Sequence, residues 1–186
     1  MNSLLLRARL IRLLQDAHAG ERAAYFAYEG HANSVREPEE KHAIRKIQRE
    51  EWEHREALGK FLTDRGAKPR VSREWLMAVV GRLISVSCYL GGWFIPMYGA
   101  GRLERSNIVE YEVAARWARE AGHPVMAECL IEMAEVEWDH EKYFREKAFC
   151  HWMQRFVPKW SLPPPREEIR ESFLHGRAPS GHLSGA

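Results

Sequence analysis

The feature that most constrains this chain is a four-residue pattern, E-x-x-H, that occurs at residues 51–54 (EWEH) and is echoed at residues 137–140 (EWDH). Residues three apart on an α-helix are neighbours on one face, so each Glu and His can chelate one divalent ion together. Two such pairs on two helices of one bundle, each joined by a glutamate from another helix, form a carboxylate-bridged two-metal site. The repeat therefore predicts a dinuclear metal centre in an all-α fold.

A proline precedes each E-x-x-H at the same distance. Pro38 and Pro124 each lie 16 residues before the histidine of their repeat. Proline suits the first turn of a helix, where its missing N–H costs nothing. We therefore expect two helices of matched length, over about residues 38–64 and 124–152, that carry their ligands at matched depth.

One further carboxylate is expected from the start of the chain. A helix is predicted over about residues 3–31, where apolar residues recur at helical spacing. Glu21 is the one acidic residue on this apolar stripe. An ion pair with an arginine would also account for it, but a bundle with two E-x-x-H pairs needs such a carboxylate. We assign Glu21 as a metal ligand.

The fourth carboxylate is expected on a helix predicted over about residues 98–120. That helix offers three candidates: Glu104, Glu110 and Glu112. Glu104 is followed seven residues later by Tyr111, just as Glu21 is followed by Tyr28. We choose Glu104, with Glu110 second and Glu112 third. The two tyrosines are assigned as hydrogen-bond donors around the ligands rather than as catalysts, because two turns separate them from the glutamates.

The ligand types limit the choice of metal. Four ionised carboxylates in one core would repel each other and be costly to desolvate, and two divalent cations would cancel their charge. Glutamates and imidazoles suit two iron ions, or manganese as second choice, and the absence of a thiolate argues against structural zinc. The chain contains no H-E-x-x-H, so a zinc peptidase is not indicated.

The composition of the chain limits the classes of binding partner and the cellular compartment that we expect. The chain has 186 residues and a net charge of +2, and no basic run is interleaved with aromatic residues, so we expect no nucleic-acid partner. Three widely spaced cysteines without a C-x-x-C indicate a reduced, cytoplasmic compartment with buried thiols. The first residues lack a basic n-region and a cleavage site, so we expect no signal peptide.

The apolar stretch at residues 75–101 contains one charged residue, Arg82. Gly91, Gly92 and Pro96 interrupt it, which predicts a helix over about residues 72–90, a turn and the start of another helix, and not a membrane span. Such a segment can serve as the long crossover that joins the second and third bundle helices. With arginines nearby it also fits peripheral insertion into an anionic leaflet at the inner face of a membrane, whereas packing as core or dimer interface is the alternative.

Two parts of the chain are expected to differ in order. Residues 1–155 are predicted to form the bundle domain, and residues 156–186 a flexible, proline-rich extension with one short helix over residues 166–174. The stretch 176–186 has the composition of a flexible terminus.

This pattern of ligands resembles the ferritin-like superfamily. Residues 18–21 (HAGE), with Tyr28 after them, resemble the first-helix motif of the demethoxyubiquinone hydroxylases of ubiquinone biosynthesis. The resemblance covers about residues 14–148. It implies a ferritin-like four-helix bundle with a di-iron centre.

The resemblance also implies a ligand set and an activity. The implied iron ligands are Glu21, Glu51, His54, Glu104, Glu137 and His140. Glu51 and Glu137 would be the bridging carboxylates. The implied reaction is O₂-dependent hydroxylation of a lipophilic quinone-like ring, with electrons supplied by a donor that the sequence does not identify.

Two other classes remain open on sequence alone. One is a rubrerythrin-like peroxidase or a ferritin-like ferroxidase, although the chain lacks the paired C-x-x-C motifs of a rubredoxin-type domain. The other is a non-catalytic bundle that retains a metal for stability. Homo-oligomer formation also stays open.

Overall fold

A computed structural model describes residues 3–179 of the chain, and every regular element in that range is helical. The elements are α1 (Ser3–Ser34), α2 (Pro38–Thr63), α3 (Val71–Leu90), α4 (Phe94–Glu120), α5 (Pro124–Phe149), a 3₁₀ helix (Trp152–Phe156) and α6 (Arg166–Leu174). The predicted all-α class is confirmed.

Two predicted helix boundaries are wrong. α4 begins at Phe94, four residues before the predicted start, because Pro96 falls in its first turn, where a missing N–H breaks no helical bond. α5 ends at Phe149, and the chain then turns at Cys150 into the separate 3₁₀ helix. Both prolines that were expected to open a helix do so: Pro38 begins α2 and Pro124 begins α5.

The chain divides into two compact units, Met1–Pro96 and Met97–Ala186. In the first unit α1 packs against both α2 and α3. Fully buried apolar side chains of this unit lie on the facing stripes of α1 and α2, and they include Leu14, Ile44, Leu58 and Leu62. The apolar faces of α1 and α2 therefore pack against each other, and acidic residues of both helices lie on these same faces.

The contact between α1 and α3 is made by small residues. A Cβ atom added to Gly81 of α3 would lie 2.7 Å from Cα of Ala23, and one added to Gly30 of α1 would lie 2.5 Å from Cα of Ser85. Both neighbours are backbone, so the two helices approach as closely as their main chains allow. One face of α3 is therefore committed to α1.

The other face of α3 is apolar and exposed. Its exposed large side chains include Trp75 at 69%, Leu83 at 66%, Val86 at 60% and Leu90 at 85% of full accessibility. No helix among the described residues is long and apolar enough to cross a membrane. We call this surface the outer face of α3.

The second unit contains α4 and α5 and the chain that follows them. The flexible extension is predicted over residues 156–186, yet Ile169 and Phe173 of α6, which lie within it, are buried. Arg170 pairs with Glu135 at 2.8 Å and with Glu128, and Trp138 donates to the carbonyl oxygen of Pro164 at 2.7 Å. The described part of the extension is thus bonded to α5. Of the flexible terminus predicted at residues 176–186, residues 180–186 lie outside the described residues.

The three cysteines are free thiols, but they are not all buried as predicted. Cys88 is buried, and burial raises its pKa to about 11. Cys129 is half-buried and Cys150 is exposed at the end of α5. Cys150 escapes burial because it follows the last turn of the helix.

Candidate metal centre

The first unit brings three predicted ligands together. Glu21 of α1 and Glu51 and His54 of α2 are buried, and one ligand atom of each lies within 4.8 Å of the others. Glu51 and His54 lie on the same buried stripe of α2 as Ile47 and Leu58. Helical spacing therefore points both side chains toward α1. We call this set the first triad.

The second unit holds an equivalent set. Glu104 of α4 and Glu137 and His140 of α5 are buried, and one ligand atom of each again lies within 4.8 Å of the others. Nδ1 of His140 lies 3.7 Å from Oε2 of Glu137, which is the neighbour relation expected for residues three apart on a helix. We call this set the second triad.

Burial makes negative charge on the carboxylates of the second triad energetically unfavourable. The pKa of Glu104 is raised well above its usual range, first by desolvation and then by the adjacent Glu137 carboxylate. Asn107 offsets part of this repulsion, because its Nδ2 donates to Glu104 at 2.8 Å and to Glu137 at 3.5 Å. A bound cation would remove the remaining cost by compensating both carboxylates.

The donor set of each triad fits a divalent metal. Each triad offers two carboxylates and one imidazole from two helices, already clustered and shielded from water. Hard carboxylate oxygens with imidazole nitrogen and no sulfur suit iron or manganese. The residues present are therefore suited to the two irons that the sequence predicted.

The competing glutamates of α4 have other surroundings. Glu112 is fully buried, and its carboxylate lies 3.5 Å from Nη2 of Arg116 one turn along. Glu110 is half-buried. Neither joins a group of metal-competent side chains within the described chain, whereas Glu104 does.

The two tyrosines are buried, as their assignment requires. Tyr28 is 3% and Tyr111 2% exposed. The ring of Tyr28 stacks with His31 at a centroid distance of 6.3 Å. Their role as hydrogen-bond donors to the ligand shell stays a prediction.

A buried ionic network beside the first triad was not predicted. Oε1 of Glu74 on α3 lies 2.7 Å from Nδ1 of His18, and Oε2 lies 2.7 Å from Nη2 of Arg55. His18 is one turn before Glu21, and Arg55 follows His54 directly. Glu74 thus joins α3 to the turns of α1 and α2 that carry the first triad. The one sequence signal is that Glu74 is an acidic residue at the edge of an apolar segment.

Because His31 is buried, we expect the folded protein to lose stability at acid pH. Desolvation lowers its pKa from 6.5 to about 4, with Glu40 acting in the opposite sense. Because the folded pKa is the lower one, the stabilisation is full above pH 6.5 and is lost as the pH falls toward 4. We expect the free energy of unfolding to fall by about 3 kcal/mol over this range from this group.

Urea unfolding at a series of pH values measures this effect. The His31→Asn variant should lose that part of the pH dependence, whereas His42→Asn, at an exposed position on α2, should keep it. An unchanged slope in His31→Asn would show that another group is responsible.

The comparisons with known proteins agree with the motif. The family model described as "Ubiquinone biosynthesis protein COQ7" matches residues 8–98, which include most of α1, all of α2 and α3, and the first triad. No curated protein and no solved structure matches the chain. Over residues 8–98 the chain is therefore similar to the ubiquinone biosynthesis protein COQ7 family, which confirms the resemblance predicted from its motifs.

Proposed function

We propose that this chain is a di-iron oxidoreductase that uses O₂ to hydroxylate a lipophilic quinone-like ring. The family supports a hydroxylase role in ubiquinone biosynthesis. The observation that carries the proposal for this chain is a buried Glu, Glu and His triad in each of its two units.

The two triads are proposed to act as one centre that binds two irons. The support is the repeat itself: two E-x-x-H pairs in matched register after Pro38 and Pro124, each with one further glutamate. Glu51 and Glu137 are assigned as the carboxylates that bridge the metals. Two divalent cations offset the charge of four carboxylates that are otherwise costly to bury.

The bound metal and the protein would make different contributions to the proposed reaction. When bound, a reduced iron pair supplies the two electrons that activate O₂. The chain contributes the ligands, a water-poor environment and fixed hydrogen bonds. Glu51, Glu104 and Glu137 are each 0% exposed, which keeps bulk water from the site. Asn107 holds the carboxylates of Glu104 and Glu137 in place with its amide.

A lipophilic substrate calls for access from a membrane. The outer face of α3 offers Trp75, Leu83 and Leu90 to the surroundings, and a soluble surface rarely carries so many large apolar groups on one helix. We propose that this face rests in one leaflet, so that the protein attaches peripherally and takes its quinone from the bilayer. Packing against a second copy would also cover the face.

The decisive assay for the chemistry is oxygen incorporation. The iron-loaded protein is given reduced demethoxyubiquinone in detergent, O₂ and a chemical electron source, and the mass of the quinone is followed. A gain of one oxygen atom is expected, with ¹⁸O₂ as its source. Rapid peroxide or Fe(II) turnover without that gain would assign the protein to the peroxidase or ferroxidase class instead.

A further inference from the structure

The groove between α1 and the start of α3 combines a cavity with an excess of positive charge. Its volume is about 410 Å³. It is lined by Arg12 and Asp16 of α1, Arg70 before α3, and Ser72, Arg73 and Leu76 of α3. Three guanidinium groups face one carboxylate, which leaves two positive charges uncompensated.

Asp16 arranges these arginines. Its carboxylate lies 3.4 Å from Nε of Arg12, 3.2 Å from Nε of Arg73 and 4.0 Å from Nη1 of Arg70. Each arginine still has donors beyond those pairings, since a guanidinium carries five N–H groups. The arginine side chains remain between about one-third and two-thirds exposed, so a ligand can reach them.

We propose that this groove binds the phosphate of an anionic lipid. Arginine presents paired donors that match phosphate oxygens, and the hydroxyl of Ser72 adds a neutral donor on the same wall. Guanidinium groups are suited to a phosphate that sits at the boundary of an apolar region.

The position of the groove favours a lipid as the source of that phosphate. Leu76 lines the groove and is 46% exposed, and Trp75 beside it is 69% exposed on the outer face of α3. A helix lying in the interface with those side chains in the leaflet brings its first turn to headgroup level. The inference rests on the proposed peripheral attachment and adds its lipid selectivity.

The test compares vesicle binding of the full chain by co-sedimentation. Vesicles of phosphatidylcholine alone are set against vesicles that also contain phosphatidylglycerol. The double variant Arg70→Gln/Arg73→Gln should bind the anionic vesicles roughly 25-fold more weakly, at about fivefold for each basic side chain near the surface. Its binding to phosphatidylcholine should be unchanged, because the apolar face is intact.

A matched variant removes the same charge elsewhere. Lys41→Gln/Arg49→Gln lies at exposed positions on α2 outside the groove and should lose much less affinity. Hydrogen exchange adds a local readout: amides 71–76 should be protected more by anionic than by neutral vesicles, and the groove variant should lose that difference.

Each other outcome overturns the inference in a distinguishable way. Equal anionic binding by the groove variant and the wild type would remove the phosphate site and leave apolar attachment standing. Displacement from anionic vesicles by millimolar inorganic phosphate would assign the groove to free phosphate. Failure of the wild type to bind either vesicle would remove both the site and the attachment, while the detergent assay would still judge the hydroxylation chemistry.

Discussion

Replacing Glu51 or Glu137 by alanine should reduce the iron content from two ions per chain to nearly none. Each residue is proposed to bridge the metals, so its loss deprives both ions of a ligand. Because the two triads are proposed as one centre, either change should empty both positions rather than one. Iron analysis after reconstitution with Fe(II) and removal of excess metal measures the effect.

Folding must be separated from metal loss in this experiment. Removing Glu137 also removes a charge that raises the pKa of Glu104, so the apo variant should keep its helical content and its thermal stability. Glu112→Ala is the matched control, because Glu112 is equally buried but lies beside Arg116 and joins neither triad. Glu53→Ala tests the exposed glutamate inside the first repeat.

Both controls should retain two irons. Full iron occupancy in Glu51→Ala or Glu137→Ala would show that the bridging assignment is wrong. Loss of one iron only would show that the triads bind metal independently.

The triads were predictable because their geometry is local. Residues three apart on a helix are neighbours whatever surrounds the helix, so the pairing of Glu137 with His140 follows from sequence spacing alone. The choice of Glu104 on α4 needed a comparison with Glu21 and Tyr28, and the structure does place Glu104 beside the E-x-x-H pair of α5. Whether all six ligands act together stays a prediction.

The contacts that were missed join residues far apart in sequence. Glu74 meets His18 across 56 positions and Arg170 meets Glu135 across 35. No periodicity marks such pairs, because only the packing of the helices decides which charged groups meet. The packing of the C-terminal segment on α5 was missed for the same reason. Prolines followed by a short amphipathic patch occur in flexible C-terminal segments as well as in packed ones.

The position of α3 depends on the absence of two side chains. α3 carries the outer face and Glu74, and it forms one wall of the groove. It packs against α1 at Gly30 and Gly81, where the main chains of the two helices are in direct contact. Every function proposed for α3 therefore requires that this close approach be kept.

Gly81→Ala should destabilise the protein by about 2 kcal/mol. An alanine inside a helix normally gains up to about 1 kcal/mol over glycine, so a loss at this position is diagnostic. The loss arises because the new methyl group would lie 2.7 Å from Cα of Ala23 and cannot move a main chain aside without parting the helices. Gly20→Ala on α1, where a Cβ meets no atom within 4 Å, should be neutral or stabilising. Urea unfolding of both variants measures the difference, and a stabilised Gly81→Ala would show that α1 and α3 do not pack as closely as described.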